Sequence, residues 1–411
     1  MVSVVLNAQE SISLFECHNQ AIENAPRLAD REYIQQIGQL KSDQAQTNWY
    51  PSLDLNGRIS YQSDVVTVTL ADASIPVQFP QVPHDQYGLN LDVRQNIYDG
   101  GITRQMKELE EARTAADLQQ LEVDLYGLKG RVNQYYFAIL ELQSNRRNLE
   151  IHMENLAARQ ETLRTAIDNG TLLEADMKVI DVEVLKIQQS LLEIDSRKKA
   201  LIGVLNVLCG TTLGPATELQ LPDLDGYSME EINRPEFKLF DLKDASLEAG
   251  MELTGRKRMP VLYAFGQTGY GKPGYNMLSE TWDFYYMVGA GLKWNIWDWN
   301  ATGQEKQVIE NQQMILRNQK ASFSKEVDSR LVQEEANIEQ FRKSMELEKQ
   351  VLELQAEISE NAATKLSNGT ITATDYITEL NKESLSRNKL ATHQIRLTQS
   401  ITNYLTIQGN L

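Results

Sequence analysis

Hydrophobic and polar residues alternate along several short stretches of the chain. In SLDLNGRISYQS, which begins at Ser52, leucine, isoleucine and tyrosine take one side of an extended chain, and charged or polar residues take the other. The stretch GLNLDVRQNIYDGG, which begins at Gly88, alternates in the same way until a Gly-Gly pair. A period of two is typical of a β-strand with one apolar face. The pattern predicts strands at about 52–63, 86–97, 261–270 and 284–296.

Apolar residues elsewhere recur in steps of three and four over much longer stretches. One such stretch covers about 101–167, and a second with the same spacing covers about 173–209. This spacing predicts an antiparallel coiled coil, in which the two helices cover each other's apolar seam. At about 1.5 Å per residue, the longer helix extends roughly 100 Å.

The chain is an internal duplication. Residues 96–99 match residues 295–298, and the NGT sequence at 169–171 recurs at 368–370, at the same offset. Each copy has the pattern of a helix, two strands, a long helix, a turn and a helix. We therefore expect a residual signal segment at 1–10, a first repeat at 11–210, a linker at 211–231 and a second repeat at 232–411.

The coiled coils leave little apolar surface with which to cover a sheet. Strands of about ten residues suit a membrane β-barrel, whose apolar side faces lipid and whose polar side faces a water-filled lumen. On the alternation alone, a sheet half-buried under the helices of a soluble protein is the alternative. Four strands are too few to close a barrel. Because unpaired strand edges are costly in hydrocarbon, several copies of the chain are expected to complete it.

Composition excludes other classes of protein. Hydrophobic residues make up 41% of the 411 residues, charged residues make up 24%, and the net charge is -17. No apolar run reaches the roughly 20 residues that a membrane-spanning helix needs. The acidic balance argues against nucleic acid as a partner, because binding phosphates requires a basic surface. The N-terminal MVSVVLNAQE is similar to the end of a secretory signal, which predicts export.

No enzyme chemistry is indicated by the sequence. Its four histidines show no ligand spacing, and we find no nucleophile–base set or phosphate-binding loop. Cys17 and Cys209 are too few for a disulfide framework or a zinc site, and both lie in helical patterns. They are therefore interpreted as small buried apolar residues. We expect no catalytic residues, no metal and no cofactor.

The order of these elements resembles that of the TolC-like outer-membrane efflux proteins, also called outer-membrane factors. The resemblance covers nearly the whole chain. It rests on SLFECHNQAIENAPRLAD near the start, WYPSL before the first strand, NIYDGG and NIWDWN before the long helices, and the two NGT turns. It implies a mostly α protein with β-strands, in which long antiparallel coiled coils form a periplasmic tunnel. Four strands from each of three chains would form a 12-stranded outer-membrane barrel.

The resemblance also implies a function. The chain would be a passive outer-membrane channel-tunnel of a tripartite efflux or type I secretion system, active as a homotrimer. Its partners would be outer-membrane lipid, a periplasmic adaptor (membrane fusion protein) and an inner-membrane pump. A periplasmic coiled-coil adaptor or structural tether without a pore is the alternative. The second repeat departs from the family's glycine pair, since Trp299 and Asn300 take its place.

A constriction of the tunnel is the first candidate site. Asp375 aligns with the first aspartate of the ring that constricts the tunnel in the family. The family's second aspartate position falls on Thr378, which leaves Glu379 as the nearest acidic substitute. An aspartate at a helix N-terminus, favoured by the helix dipole, explains Asp375 equally well and also explains Asp176.

Two further sets of residues are candidates for function. In the family, the turns between the long helices form the tip that meets the adaptor. This implies an adaptor contact made by Arg164, Asn169, Gly170, Thr171, Lys365, Asn368, Gly369 and Thr370. Clustered aromatic residues near the strand ends fit the interfacial girdle of a membrane barrel. The residues of this predicted girdle are Tyr87, Trp282, Phe284, Tyr285 and Tyr286.

Overall fold

A computed structural model describes residues 12–66, 82–168, 173–224 and 231–411. Short 3₁₀ turns, Pro26–Ala29 and Thr47–Trp49, flank the second helix. Among the described residues, no helix combines the length and the apolar character needed to cross a bilayer. The elements of the described chain are α1 (Leu14–Glu23), α2 (Asp30–Gln46), β1 (Ser52–Tyr61), β2 (Asp85–Tyr98), α3 (Ile102–Asp168), α4 (Glu174–Cys209), α5 (Pro235–Arg256), β3 (Val261–Lys272), β4 (Asp283–Lys293), α6 (Ala301–Ser367) and α7 (Ala373–Gln408).

From α2 and from α5 onward, the two repeats have the same order of a helix, two strands, a long helix and a return helix, and the first repeat also has α1. The long helices α3 and α6 each have 67 residues, and the return helices α4 and α7 each have 36. The mostly α fold class with four antiparallel strands is confirmed. The repeats differ in their strands, because β2 continues to Tyr98 whereas β4 ends at Lys293, before the matching NIWD residues.

An aspartate begins the long helix of the first repeat. Gly100 and Gly101 follow β2 with positive φ angles of 71° and 85°, a region that glycine occupies without a steric cost. The Asp99 carboxylate accepts a hydrogen bond from the backbone N–H of Gly101 at 2.9 Å and another from that of Thr103 at 2.7 Å. Because these N–H groups have no acceptor within the helix, Asp99 stabilises the turn and the start of α3.

The second repeat keeps this turn without its glycines. Trp299 and Asn300 have positive φ angles of 54° and 65°. Asp298 accepts hydrogen bonds from the backbone N–H groups of Asn300 and Thr302, each at 3.0 Å. These bonds hold a left-handed backbone that asparagine tolerates but that is strained for tryptophan. The aspartate, rather than the glycine pair, is therefore the shared determinant of the turn.

The chain divides into two compact units. The strand unit comprises the described residues of Glu32–Leu118 and Phe240–Asn318, and includes all four strands. The coil unit comprises the described residues of Met1–Arg31, Gln119–Leu239 and Gln319–Leu411. In the strand unit the sheet order is β1-β2-β3-β4, and each neighbouring pair is antiparallel.

Helices of the strand unit pack closely where a glycine permits it. A Cβ atom added to Gly38 in α2 would collide with the side chain of Thr114 in α3. Nearby, Lys41 and Glu110 form an ion pair of 3.3 Å between the same helices. The absence of a side chain at Gly38 therefore sets the close approach of α2 and α3.

The coil unit has a core where α1, α3 and α4 meet. Tyr136 and Phe137 of α3 are fully buried there, together with Leu14 of α1 and Leu205 of α4. The Tyr136 hydroxyl donates a hydrogen bond to the Gln220 carbonyl at 2.6 Å. This bond joins the linker after α4 to the core.

A second core lies near the turns, where all four long and return helices contribute. It contains Leu156 of α3 and Ile180 of α4, packed with Leu366 of α6 and Tyr376 and Ile377 of α7. The two helical hairpins thus bury apolar residues against each other as well as within each coiled coil. This packing fixes the ends of the hairpins that carry the candidate tip residues.

Candidate functional site

The four strands place apolar and polar residues on opposite faces of one sheet. Directly paired residues point to the same face, so the register defines rows across the strands. The rows of the apolar face are Leu53, Val93, Gly266 and Val288; Leu55, Leu91, Thr268 and Tyr286; and Gly57, Leu89, Tyr270 and Phe284. We refer to these rows, with Ile59 and Tyr61 on the same face of β1, as the apolar sheet face.

The apolar sheet face is largely exposed in the single chain. Leu55, Ile59 and Val288 keep 67%, 81% and 77% of their accessible surface, and Phe284 and Tyr286 keep 71% and 72%. A contiguous apolar surface in contact with water is unfavourable and marks a site that meets lipid or another protein.

The opposite face has a connected set of polar side chains. The Asp92 carboxylate accepts hydrogen bonds from the amide groups of Asn56 at 2.7 Å and Gln267 at 2.6 Å. The Asn90 amide oxygen accepts a hydrogen bond from the Tyr285 hydroxyl. These contacts join all four strands by polar groups, so this face suits contact with water.

The sheet is open. Within the described residues, the outer edges of β1 and β4 have no strand partner, because these strands are the two ends of the order β1-β2-β3-β4. Exposed edges carry backbone N–H and C=O groups that can pair with another chain. The sheet is therefore able to extend at both edges.

The structure brings together most residues of the predicted girdle. The Trp282 ring stacks on Tyr87 at 5.6 Å and on Tyr270 at 5.3 Å, beside the end of the apolar sheet face where Phe284 lies. Tyr285 is not part of this group. Successive residues of a strand point to opposite faces, so Tyr285 lies on the polar face.

A second group of exposed aromatic residues, all tryptophans, lies just after β4 and was not predicted from the sequence. Trp294, Trp297 and Trp299 keep 56%, 70% and 84% of their accessible surface. The signal was present in WNIWDWN, which has three tryptophans within six residues.

Along β2, Tyr87 and Tyr98 are separated by about 36 Å, or about 25 Å across a bilayer for a strand tilted by about 45°. That is the height of the apolar band of a membrane barrel.

The second turn between long helices gathers four of the candidate tip residues. Gly369 has a positive φ of 69°, and its N–H donates to the Leu366 carbonyl at 2.9 Å. The Thr370 N–H and hydroxyl donate to the Lys365 carbonyl at 3.0 and 2.9 Å. With Asn368, these residues are exposed around one tight turn.

The first turn is described only in part. Asn169, Gly170 and Thr171 lie outside the described residues. Arg164 is exposed beside a cleft of about 760 Å³ between α3 and α4. The charged residues that line the cleft are Glu161, Arg164, Asp168, Glu174, Lys178 and Asp181.

In the part of the chain that the structure describes, no group of three or more His, Cys, Asp or Glu side chains could hold a metal ion.

Asp375 is the third residue of α7 and forms a capping box with Thr372, the N-cap residue. Its carboxylate accepts hydrogen bonds from the Thr372 N–H at 3.1 Å and the Thr372 hydroxyl at 2.8 Å, while its own N–H donates back to that hydroxyl at 3.2 Å. The hydrogen bond from the Thr372 side chain and then that from its backbone lower the pKa of Asp375. The carboxylate is therefore charged at neutral pH, and it is exposed.

The three constriction candidates lie on one side of α7, because residues three and four positions apart share a helix face. Thr378 is exposed, and its hydroxyl donates to the Thr374 carbonyl at 2.8 Å. Glu379 accepts from Lys382 at 2.7 Å and from Gln355 at 3.0 Å, and these bonds lower its pKa. Because Lys382 offsets its charge, Glu379 presents less net negative charge than Asp375.

The two duplicated aspartates differ in their contacts. Asp176 accepts a hydrogen bond from the Leu173 N–H at 3.2 Å at the start of its own helix. It also accepts one from the Ala373 N–H of α7, again at 3.2 Å. Asp176 is therefore a structural link between the two hairpins, whereas the recorded bonds of Asp375 are confined to its own helix start.

Comparison with known families gives one match. The family described as outer membrane efflux protein matches residues 18–200, which is most of the first repeat. No curated protein sequence matches the chain. The second repeat falls outside the family match but repeats the first from α2 onward.

Solved structures match nearly the whole chain. The outer membrane protein VceC of Vibrio cholerae has a TM-score of 0.70 at 13% identity, over 96% of each chain. The CmeC outer membrane channel of Campylobacter jejuni has a TM-score of 0.69 at 12% identity, over 97% of this chain and 85% of CmeC. The open MtrE outer membrane channel of Neisseria gonorrhoeae has a TM-score of 0.66 at 13% identity, over 97% of this chain and 89% of MtrE. At these identities the similarity establishes the fold.

The contrast between the two aspartates predicts different amide exchange rates in the two variants. In Asp176→Ala, the Ala373 amide loses its acceptor, so its hydrogen exchange should accelerate by about tenfold. In Asp375→Ala, exchange should accelerate at the Thr372 amide instead, because this amide loses the Asp375 carboxylate as its acceptor. Residue-resolved hydrogen exchange measures both variants. Equal acceleration at Ala373 in the two variants would contradict the assigned contacts.

Proposed function

We propose that this chain is a member of the outer membrane efflux protein family, whose model matches residues 18–200, and that it acts as a passive channel-tunnel of an efflux or type I secretion system. Its strands lie in the outer membrane and its helical coils in the periplasm. The channel conducts substrate outward and uses no energy of its own.

The observation that carries this proposal is the two-faced open sheet. Lipid covers the apolar sheet face, and water contacts the face on which Asp92 joins Asn56 and Gln267. Because unpaired edges are costly in hydrocarbon, β1 of one copy pairs with β4 of the next. Three copies of a four-stranded sheet give a closed 12-stranded barrel, within the range of membrane barrels.

Two aromatic groups fix the position of the barrel in the membrane. Tyr87, Trp282, Phe284 and Tyr286 form the girdle at the outer interface, at the loop ends of the strands. Trp294, Trp297 and Trp299 form the girdle at the periplasmic interface, next to the long helices. Tyrosine and tryptophan favour this depth because their rings are apolar and their polar groups reach water.

The turns between the long helices contact a periplasmic adaptor that links the channel to an inner-membrane pump. Support comes from the exposure of Lys365, Asn368, Gly369 and Thr370 around one turn and from the charged cleft beside Arg164. The turn at 169–171 has the same NGT sequence and makes the equivalent contact in the first repeat.

Asp375 narrows the periplasmic end of the tunnel. In a trimer, the three exposed carboxylates of Asp375 repel one another and attract cations. Thr378 lies on the same helix face without a charge, and Glu379 is paired with Lys382. The constriction therefore depends on one ring of charge rather than two.

A periplasmic adaptor or tether without a pore accounts less well for the sheet. Such a protein has no need of an exposed apolar sheet face or of two aromatic groups at opposite strand ends. It would stay monomeric and soluble without detergent. The exposed apolar sheet face favours the channel.

A matched pair of arginine substitutions tests the lipid contact. Leu55→Arg places a charge on the apolar sheet face, at a cost of about 2–4 kcal/mol near the bilayer midplane. Asp54→Arg places the same side chain one residue away on the polar face. We expect the Leu55 variant to lose assembly and the Asp54 variant to assemble and conduct with altered ion selectivity. Heat stability of the trimer and single-channel current measure these outcomes, and equal damage by both variants would contradict the proposal.

Charge substitutions on α7 test the constriction. Asp375→Asn should weaken block of the single-channel current by multivalent cations by on the order of tenfold, because the ring loses its charge. Thr378→Asp adds a second ring and should strengthen the block. Asp176→Asn is the control and should leave it unchanged. An unchanged block in Asp375→Asn would remove Asp375 from the constriction.

A further inference from the structure

We propose that Cys17 and Cys209, the two cysteines of the chain, form an intramolecular disulfide bond after export. The bond would join α1 at the start of the first repeat to the last residue of α4 at its end. It goes beyond the channel function and relies only on the location of the protein outside the cytoplasm. Compartments outside the cytoplasm are oxidising and permit stable disulfides.

The two cysteines lie side by side in the core of the coil unit. Both are fully buried, and the Cys209 thiol lies 3.4 Å from the carbonyl oxygen of Cys17. Leu14 and Leu205 belong to the same cluster of buried side chains. Residues separated by 192 positions in the sequence are thus brought into direct contact.

The backbone around the pair is fixed by several contacts. The Asn24 side-chain amide donates to the Cys209 carbonyl at 2.7 Å and to the Gln20 carbonyl at 2.9 Å. Gly210 then ends α4 with a positive φ of 67°, and a Cβ atom there would collide with Asn24. The end of α4 is therefore held against the end of α1, with both thiols facing the same core.

The two thiols are unequal. Their mutual contact lowers the pKa of Cys209, whereas contact with Cys209 and burial raise the pKa of Cys17. A thiolate is the attacking form in disulfide exchange. In the folded core, Cys209 is therefore the more acidic of the two thiols.

The bond forms by exchange with the disulfide of a thiol oxidoreductase. The thiolate of one of the two cysteines attacks one sulfur of that disulfide and releases the other as a thiolate, giving a mixed disulfide. The thiolate of the other cysteine then attacks the chain's sulfur in this mixed disulfide and displaces the oxidoreductase sulfur that was bonded to it. Two electrons and two protons pass to the oxidoreductase, which leaves as a dithiol. Because both cysteines are fully buried after folding, the exchange takes place before the core closes.

The disulfide would fasten only the first repeat. At the offset of 199 residues, Gln408 takes the position of Cys209 in the second repeat. A cross-link between distant residues restricts the unfolded chain and stabilises the folded one. The end of α4 should therefore stay attached to α1 under conditions in which the matching part of the second repeat loosens.

Thiol counting on the full-length exported protein tests the proposal. The protein is unfolded in denaturant with an alkylating reagent, with and without prior reduction, and its intact mass is measured. We expect no alkylated cysteine before reduction and two after it, with peptide mapping that links Cys17 to Cys209. Two alkylated cysteines without reduction, or disulfides between chains, would overturn the proposal.

A second measurement compares stability with and without the bond. Reduction should lower the thermal midpoint of the exported protein on the order of 5 °C. The double variant Cys17→Ala, Cys209→Ala serves as control and should not respond to reductant. Single-channel current should persist in this variant, so failure of the disulfide and failure of the channel are separate results. A wild-type midpoint that does not respond to complete reduction would contradict a stabilising bond.

Discussion

The main physical constraint on this structure is that the apolar face of its four-stranded sheet has to be kept from water. The coiled coils bury apolar residues against each other, whereas Leu55, Ile59 and Val288 of the sheet are exposed. Lipid can cover this face only if the strand edges are paired, since unpaired backbone groups are costly in hydrocarbon. A single chain has two open edges. In the proposed channel, membrane insertion and assembly of several copies are therefore linked by one physical requirement.

The internal duplication gives both repeats the same kind of turn at the start of the long helix. Both repeats begin their long helix at an aspartate, Asp99 or Asp298, that holds a left-handed turn. The copies then differ in the contacts of their equivalent aspartates. Asp176 bonds the neighbouring helix through the Ala373 amide, whereas Asp375 stays exposed beside its own helix start. Equivalent residues thus give one hairpin a structural link and the other a charge available to solvent.

Much of this organisation was predictable from the sequence, because alternation and heptad spacing record which side of each element is apolar. The position of Tyr285 on the polar face also follows from that alternation, whereas the predicted girdle included Tyr285 because of its place among clustered aromatic residues. Contacts between distant residues left no such periodic signal. The contact of Cys17 with Cys209 and the bond from Ala373 to Asp176 depend on how separate helices pack, which spacing within one helix does not encode.

Spin labels placed singly along β4, from Asp283 to Lys293, test the central claim most directly. Their accessibility to lipid-soluble oxygen and to a water-soluble relaxation agent is measured in the reconstituted protein. Labels at even positions such as Phe284, Tyr286 and Val288 should contact oxygen, and labels at odd positions such as Tyr285 and Met287 should contact the aqueous agent. Uniform exposure of all positions to the aqueous agent would contradict a sheet that has lipid on one face and water on the other.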